Sequence, residues 1–410
     1  MPVLKNISTL YTCIDQGGQG DIHPIQDAAV CWRESVIDWV GPVSQLPDEY
    51  RGDVAHDAKG KVVIPGLVDC HTHLVFGGWR PDEFEMRVEG QSYLEIAREG
   101  GGILSTVNET RVVSEDALFE KASALLIQIA QLGVTTVECK SGYGLTTEDE
   151  LKILRVIRRL AEESAVTIIP TFLGAHTIPR EFQSDREDYI QLIMDEMIPC
   201  VADEKLAVFC DVFVDDTAFS VEEAQRILEC GKEYGLRPKL HADQLSSCGG
   251  AELAAEVGAI SADHLEQVSD QDIRSMADAG VTGVALPFAS LYTQQPFLDC
   301  RKLVSNGVRV AVATDFNPGS APSYDLPLAM MLACNLNRLT PTEVLKAATI
   351  YAAGAIGIDH LTGSIESGKY ADFVVMDTPS VNFWMYHFTS TPKHQVYLKG
   401  RKLALKQTKL

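Results

Sequence analysis

The chain has 410 residues, which is enough for one large domain and a smaller one. It carries a formal net charge of −22 and has a pI of about 4.8. Nucleic acids and anionic membrane surfaces are bound through basic patches, so this charge argues against both as partners. We expect a small-molecule substrate instead. If that substrate is an anion, a dedicated cationic side chain has to hold it.

The cysteine pattern and the lack of long apolar segments favour a cytoplasmic protein. No apolar stretch reaches the roughly 18 residues that a membrane-spanning helix needs. The N-terminal stretch "MPVLKNISTL" lacks the basic and then apolar layout of a secretory signal. The ten cysteines are scattered without a C-x-x-C pair, as is typical of reduced thiols.

The two ends of the chain are alike in pattern and differ from the middle. Residues 1–63 hold short runs of β-forming residues between Gly, Asp and Pro turns, and the same pattern returns in residues 360–410. Neither end is long enough to bury a core alone. We therefore predict that both ends meet in one small β-sandwich domain, and that residues 64–359 form a separate domain.

Helical and strand-like patterns alternate between residues 64 and 359. Ser114 is followed by the acidic residues Glu115 and Asp116, and this pattern marks the start of a helix over 114–131. A Ser or Thr followed three positions later by Glu predicts a capping box at three further helix starts: Thr147 with Glu150, Ser220 with Glu223, and Thr340 with Glu343.

The strands between these helices are apolar on both faces, which is typical of a parallel sheet covered by helices. Examples are "GVTTVEC", "LAVFCDVFV" and "VRVAVATDF". With the run before residue 70, eight such units fit a (β/α)8 barrel. The alternative, a doubly wound open sheet, needs a glycine-rich nucleotide loop after its first strand. The glycine-rich stretch 99–105 follows no predicted strand and lacks the G-x-G-x-x-G spacing, so we expect a mobile loop there.

The stretch "LVDCHTHLVF", residues 67–76, places two histidines in an apolar strand. Residues i and i+2 of a strand point to the same side, so His71 and His73 can offer two nitrogens to one point. In a barrel the chemistry lies at the C-terminal strand ends, where the sequence places further polar residues. These are Lys140, Ser141, Gly142 and Tyr143 after one strand, and then His176, His241, His264 and Asp315.

Each of these residues has an ordinary explanation when it is taken alone. His176 or His264 could be a hydrogen-bonded core histidine, and Asp315 could cap the turn before Pro318. Five of the ten histidines nevertheless fall at these strand ends. Three imidazoles and a carboxylate suit Zn²⁺ or iron and leave a position for water. The sequence therefore predicts a metal centre at the mouth of a barrel.

Several motifs together resemble the amidohydrolase superfamily and, more narrowly, the imidazolonepropionases. They are "GGWRPDEFEMR", "GGGILSTV", "KSGYGL", "GAHTIP", "LHADQLS", "SADHLE", "TDFNPGS" and "SGKYADFVVMD". The resemblance runs through most of the chain. It implies a metal-dependent TIM barrel that opens the ring of 4-imidazolone-5-propanoate to N-formimidoyl-L-glutamate in histidine degradation, and it makes a homodimer plausible.

The resemblance also implies roles for single residues. The implied metal ligands are His71, His73, His241 and Asp315. The implied substrate contacts are Arg80, Tyr93, Tyr143, His176, Gln244, Asn317, Gly319 and Ser320. Arg80 is the kind of cation that an acidic protein needs, because a guanidinium can hold a carboxylate through two parallel hydrogen bonds. A surface salt bridge from Arg80 to Asp82 or Glu83 is an equally good explanation from sequence alone.

Two details narrow the chemistry that the resemblance implies. The segment "VFCDVFVDD" carries no lysine, whereas binuclear relatives bridge two metals with a carboxylated lysine there, so we expect a single ion, Zn²⁺ or Fe³⁺. Gln244 stands where some members of the family, and related deaminases, carry a glutamate. A glutamine can orient a substrate but cannot shuttle protons at neutral pH, so a proton relay through this position is in doubt.

We hypothesise a hydrolytic mechanism on these residues. The metal lowers the pKa of its water, Asp315 accepts the water proton as general base, and His264 stabilises the developing oxyanion. Two rival functions stay open. One is a mononuclear aminohydrolase that releases ammonia from a related heterocycle. The other is a non-catalytic metal-binding protein, which would leave the polar residues at the strand ends without a role.

Overall fold

The computed structural model describes residues 2–51, 55–91, 95–96, 100–388, 392 and 394–404. Within this part of the chain the strands fall into two separate sheets. In chain order they are β1 (Val3–Tyr11), β2 (Pro24–Arg33), β3 (Val36–Pro42), β4 (Ala55–Pro65), β5 (Leu67–Asp69), β6 (Val134–Lys140), β7 (Thr167–Ala175), β8 (Phe209–Val214), β9 (Arg237–Ala242), β10 (Ser261–His264), β11 (Thr282–Ala285), β12 (Val310–Val312), β13 (Phe373–Met376), β14 (His394–Leu398) and β15 (Arg401–Lys402).

The smaller sheet joins the two ends of the chain. Its strand order is β15-β14-β13-β4-β1-β2-β3, and all its neighbours are antiparallel except β1 and β4. The first and last parts of the chain meet where β4 pairs with β13, with Ile64 opposite Val374. Aromatic side chains fill its inner face, where the ring centroids of Trp32 and Phe373 lie 5.5 Å apart and those of Phe373 and Tyr397 lie 4.6 Å apart.

The larger sheet is a barrel of eight parallel strands, in the order β5 to β12. Contacts just beyond β5 and β12 close it. The backbone N–H of His73 donates to the carbonyl of Phe316 at 2.8 Å, and that of Asp315 donates to the carbonyl of His71 at 3.0 Å. The carboxylate of Asp69 accepts from both the N–H and the hydroxyl of Thr314. We call this junction the seam.

The predicted fold class is thereby confirmed: an eight-stranded parallel barrel and a separate β domain built from both chain ends. The predicted domain limits at 63/64 and 359/360 stay predictions. Among the described residues, no helix combines the length and the apolar character needed to cross a bilayer.

Helices cover the outside of the barrel. The α-helices are α1 (Pro81–Val88), α2 (Ile103–Val112), α3 (Glu115–Gln131), α4 (Thr147–Glu163), α5 (Arg186–Leu192), α6 (Ile198–Asp203), α7 (Val221–Glu233), α8 (Gly250–Glu256), α9 (Asp270–Ala279), α10 (Pro287–Thr293), α11 (Cys300–Ser305), α12 (Leu326–Asn335), α13 (Pro341–Ala347), α14 (Ile350–Ala355) and α15 (Val381–Tyr386). A π-helical turn over Ile193–Met197 joins α5 to α6, and three short 3-10 turns cover Val43–Gln45, Asp48–Tyr50 and Arg180–Phe182. Because the barrel strands are parallel, the loops that follow them lie at the same end of the barrel.

Three of the four predicted helix starts are confirmed. Ser114 caps α3, and complete capping boxes begin α7 and α13. The box predicted for Thr147 and Glu150 is wrong, because Thr146 is the N-cap of α4 and accepts from the N–H of Asp149. Glu150 turns inward, since three buried N–H groups of the preceding loop need an acceptor.

The predicted loop over residues 99–105 is wrong in its second half. Helix α2 begins at Ile103, and Gly102 precedes it with φ 70° and ψ −148°. A residue with a side chain rarely adopts this backbone conformation, so the glycine serves the turn into a helix rather than a phosphate-binding loop.

A candidate metal centre and its pocket

The histidines and the aspartate at the strand ends meet at one point of the barrel mouth. His71 Nε2 lies 3.3 Å from Asp315 Oδ1, and His73 Nε2 lies 3.5 Å from the same oxygen. The rings of His71 and His241 have their centroids 4.5 Å apart. Two overlapping sets of ligand atoms lie within 4.8 Å of one another: His71, His73 and Asp315, and His71, His241 and His264. The structure thus brings together all four predicted metal ligands, with His264 beside them.

The donor atoms of this cluster fit a metal ion. Nδ1 of His71 donates to Asp263 Oδ2 at 2.6 Å, and Nδ1 of His241 donates to Asp211 Oδ1 at 3.1 Å. The Nε2 atoms of His71 and His241 are buried and make no hydrogen bond to any described residue. An imidazole that donates through Nδ1 presents the lone pair of Nε2, which is the arrangement of a metal-ligating histidine.

Burial keeps these imidazoles in the form that binds a metal. The pKa values of His71, His73 and His241 are lowered well below the usual value for histidine, first by burial and then by nearby positive groups. A neutral imidazole is the ligating form. The cluster therefore suits a cation without requiring the histidines to lose a proton near neutral pH.

Asp315 and His264 face each other across the cluster in unusual backbone conformations. Their φ angles are 55° and 80°, and Leu265 after His264 has φ 69°. Non-glycine residues rarely adopt such angles, and when they do they gather at functional sites. Burial raises the pKa of Asp315 to about 7. Burial alone would lower the pKa of His264, but the neighbouring carboxylate of Glu266 outweighs it, so the pKa is raised.

A pocket opens directly above the cluster, and most of the predicted substrate contacts line it. The predicted residues on its wall are Arg80, Tyr143, His176, Gln244, Asn317 and Ser320. Tyr93 lies outside the described residues. Four lining residues were not predicted from the sequence: Ile103, Phe213, Leu245 and Thr293. They resemble ordinary core or loop residues, and only the fold places them beside the pocket.

Arg80 is a buried cation on the wall of this pocket. Its Nη1 lies 3.5 Å from Glu83 Oε2, so the ion pair with Glu83 considered above does form, but the Arg80 side chain is only 3% exposed and the pair is buried rather than on the surface. Its Nε and Nη1 atoms are buried without a hydrogen-bond partner among the described residues. Gly319 packs flat against the guanidinium, and a Cβ at this position would overlap it. The predicted contact Gly319 therefore gives Arg80 the space to reach the pocket.

Buried hydrogen bonds hold the loop that carries Tyr143. The carboxylate of Glu150 accepts from the N–H groups of Gly142, Gly144 and Leu145 at 3.0, 2.7 and 2.9 Å. Nδ1 of His176 donates to the carbonyl of Gly142 at 2.9 Å. Burial lowers the pKa of His176 to about 4, so its ring is neutral. Tyr143 and His176 are thus fixed together on one side of the pocket.

The loop that carries Gln244 is fixed in a similar way. Asp215 accepts from the N–H groups of Leu245 and Ser246 at 3.0 and 3.3 Å. Asp243 accepts from four N–H groups at the start of α8. On the opposite wall, Asn317 Oδ1 accepts from the N–H groups of Gly319 and Ser320 at 2.9 and 2.8 Å. The pocket therefore offers a preorganised polar wall rather than mobile side chains.

The match to known proteins agrees with this geometry. The model of the Amidohydrolase family matches residues 62–403. The chain is 47% identical to the imidazolonepropionase of Geobacillus thermodenitrificans over 394 residues, which cover 95% of this chain and 93% of that protein. It is 50% identical to the imidazolonepropionase of Shouchella clausii over 345 residues, 84% and 77% of the two chains.

A solved structure supports the same fold. The atrazine chlorohydrolase of Arthrobacter aurescens, complexed with zinc, superposes with a TM-score of 0.73 at 17% identity and covers 98% of this chain and 95% of that one. At this identity the likeness concerns the fold alone.

The chain belongs to the amidohydrolase family. Within that family, its relatives at 47% and 50% identity are imidazolonepropionases.

Proposed function

We propose that the protein is an imidazolonepropionase, which hydrolyses the ring of 4-imidazolone-5-propanoate to N-formimidoyl-L-glutamate. The observation that carries this proposal is the pocket in which a buried arginine faces a cluster of metal-ligand type. The names of the relatives at 47% and 50% identity support the same reaction. The function is hydrolysis of a carbon–nitrogen bond in a cyclic amide.

Arg80 is the residue that we assign to the carboxylate of the propionate tail. Its Nε and Nη1 make no hydrogen bond among the described residues, and Nη1 has only the 3.5 Å ion pair with Glu83, so buried donors are left for an anionic ligand. In a chain with a net charge of −22, such a local cation is needed to attract an anionic substrate. Tyr143, His176, Gln244, Asn317 and Ser320 would then contact the ring and the rest of the tail.

His71, His73, His241 and Asp315 are the ligands that we propose for one metal ion. An ion held by this donor set would polarise a water molecule and lower its pKa toward neutrality. Zn²⁺ and Fe³⁺ both accept three imidazoles and a carboxylate. We propose a single ion, because β8 carries no lysine and its inward residue Asp211 is engaged by His241.

The chain's own residues account for the proton movements of ring opening. Asp315 accepts a proton from the attacking water as the oxygen–carbon bond forms at the ring carbonyl. A ring N–H of His264 donates to the carbonyl oxygen as negative charge develops there. The proton held by Asp315 then passes to the ring nitrogen as the carbon–nitrogen bond breaks, so one water molecule is added overall. Gln244 orients the substrate through its amide and carries no proton.

We further propose that the protein is cytoplasmic and acts without nucleic acid or membrane partners. The ten cysteines are all free thiols, as is typical of a reducing compartment. The excess of acidic residues supports a small anionic substrate over polyanionic partners. The homodimer expected from the family stays a prediction.

The test is the ultraviolet absorbance of freshly prepared imidazolone-5-propanoate mixed with the purified protein. Chelated and metal-restored samples run side by side, together with a coupled assay for ammonia. We expect loss of the ring chromophore that stops with chelator, returns with metal and releases no ammonia. No loss of absorbance with metal demonstrably bound would refute the substrate assignment. Ammonia release would favour the aminohydrolase alternative.

A further inference from the structure

Directly beneath the histidines, ionisable side chains fill the interior of the barrel. We call this group the ionic cluster: Glu138, Lys140, Asp211, Lys239 and Asp263, all fully buried. Glu138 and Lys140 lie two positions apart on β6, as do Lys239 and His241 on β9. Alternate residues of a strand share one face, so each pair points into the barrel. The ionic cluster is thus a layer below the metal ligands.

Lys140 occupies the centre of this layer. Its Nζ lies 2.7 Å from Asp211 Oδ2, 3.0 Å from Glu138 Oε1 and 3.5 Å from Asp263 Oδ2. Lys239 is more distant from the carboxylates, at 3.3 Å from Glu138 and 3.8 Å from Asp263, and it donates to the carbonyl of Ala355. The shortest contact of either lysine to a carboxylate is therefore the one between Lys140 and Asp211.

Asp211 connects Lys140 to a proposed metal ligand. One of its oxygens binds Lys140 Nζ, and its other oxygen, Oδ1, accepts from His241 Nδ1 at 3.1 Å. Nε2 of His241 then faces the metal centre without a hydrogen-bond partner among the described residues. The orientation of this imidazole is thus set by a carboxylate whose own orientation is set by a lysine.

We propose that Lys140 is a positioning residue, which acts through Asp211 to hold His241 in the orientation and tautomer that bind the metal ion. The proposal rests on the metal centre of the proposed function. Three carboxylates and two ammonium groups share the buried layer. Without Lys140, three carboxylates would face Lys239 alone. Asp211 would then lose the 2.7 Å contact that fixes its orientation, and its hydrogen bond to His241 would weaken.

The charge of Lys140 is consistent with this role. Burial acts to lower the pKa of its ammonium group, but Asp211, Glu138 and Asp263 outweigh the effect, so the pKa is raised above the usual value for lysine. The purely structural alternative is that Lys140 only compensates charge inside the barrel. That alternative predicts an effect of substitution on stability but none on the metal site.

The experiment measures metal binding rather than turnover. Metal-free wild type and Lys140→Met are titrated with Co²⁺ in competition with a chromophoric chelator, and the visible spectrum of bound Co²⁺ is recorded. Lys346→Met is the matched control, because Lys346 is equally buried but, among the described residues, donates to the carbonyls of Gln16 and Gly18 rather than to a carboxylate. We expect Lys140→Met to lower Co²⁺ affinity by roughly 10–100-fold and to change the spectrum, with no change in the control.

A double substitution tests whether Lys140 acts through Asp211, and it also covers the case in which Lys140→Met does not fold. Lys140→Met/Asp211→Asn removes one buried charge of each sign. We expect its Co²⁺ affinity to equal that of Asp211→Asn alone, because the second change removes nothing more from His241. Losses that multiply, or wild-type affinity and spectrum in Lys140→Met, would overturn the proposal.

The same samples separate this inference from the proposed function. If wild type binds Co²⁺ but does not open imidazolone-5-propanoate, the substrate assignment fails and the role of Lys140 is still measured. If wild type opens the ring and Lys140→Met binds Co²⁺ like wild type, only the positioning role fails.

Discussion

The interior of the barrel and the interior of the small sheet solve the problem of burial in opposite ways. The barrel encloses the ionic cluster, whereas Trp32, Phe373 and Tyr397 fill the small sheet with aromatic rings. Buried charges rarely add net stability, because their desolvation cost offsets their attraction, while buried aromatic surface stabilises directly. The charged groups in the barrel thus serve to orient the side chains of the site, whereas the aromatic core of the small sheet serves to hold the two chain ends together.

This comparison predicts a separation of effects. Substitutions among the ionisable residues of the barrel should change metal binding and chemistry. Substitutions in the small sheet should change the free energy of unfolding and leave the kinetics of the folded protein alone.

The largest effect is expected at Asp315. Asp315→Asn keeps the shape of the side chain but removes the proton acceptor, so we expect kcat to fall by about 10²–10⁴-fold. The measurement is turnover on protein whose metal content has been determined. Asp325→Asn is the control, because Asp325 caps α12 and asparagine caps equally well. Near-normal turnover of metal-replete Asp315→Asn would show that the general base lies elsewhere.

A deletion in the small sheet should have the converse effect. Phe373→Ala removes a fully buried ring that contacts Trp32 and Tyr397, and we expect a loss of about 3–5 kcal/mol in the free energy of unfolding. Denaturant titration measures the loss, and kcat and KM are measured well below the midpoint. A changed KM in the folded variant would contradict the separation of the two regions.

Arg80 tests the pocket wall. Arg80→Met removes a buried cation with little change in volume, so we expect KM to rise by about 10–100-fold with a smaller change in kcat, as for loss of a charged hydrogen bond. An imidazolone without the propionate carboxylate should be a poor substrate of wild type, with a high KM. Its KM should be the same for Arg80→Met, because there is no carboxylate for the arginine to bind. Arg159→Met is the control, since Arg159 makes exposed ion pairs on α4. If Arg80→Met still preferred the substrate with the carboxylate as strongly as wild type does, the carboxylate would be bound elsewhere.

The smallest effect concerns the start of α4 and sharpens a correction made above. Thr146→Ala removes the N-cap and should cost about 1 kcal/mol in the free energy of unfolding. Thr147→Ala should cost much less, because the hydrogen bond that the Thr147 side chain makes within the described part of the chain is an exposed one to Glu196. Denaturation midpoints of the two variants decide the matter. The reverse order would restore the capping box that the sequence suggests.

The barrel and the residues at its mouth could be predicted because their signals are local. Apolar strands alternate with capped helices, and five histidines fall where strands end. The spacing of His71 and His73 needs only the period of a strand to be understood. The pocket residues, such as Arg80, were predicted from the resemblance to a family. The sequence alone could not tell whether Arg80 lies buried in the pocket or forms an ion pair on the surface.

The supporting groups could not be predicted in the same way. Asp211 and Glu138 stand between apolar neighbours, which is a usable signal, but in strands buried on both sides the sequence does not tell which face is the interior. Their partners come from other strands, so the pairs exist only after the barrel has closed. Glu150 shows the opposite kind of error. Its local sequence pattern predicts a capping box, but its carboxylate instead accepts from three buried N–H groups of the preceding loop.

The seam has a consequence for how the protein is made. His71 and His73 lie on one side of it and Asp315 on the other, next to contacts between residues 245 positions apart. During synthesis from the N-terminus, the first two proposed ligands emerge long before the last one, so the complete donor set exists only once the last barrel strand has joined the first. A cation held by these residues would join the ends of the barrel as a cross-link does, and its binding energy would offset part of the entropy lost in closing so long a loop. The metal would then bind only after the barrel has closed, and its binding would stabilise the closed form.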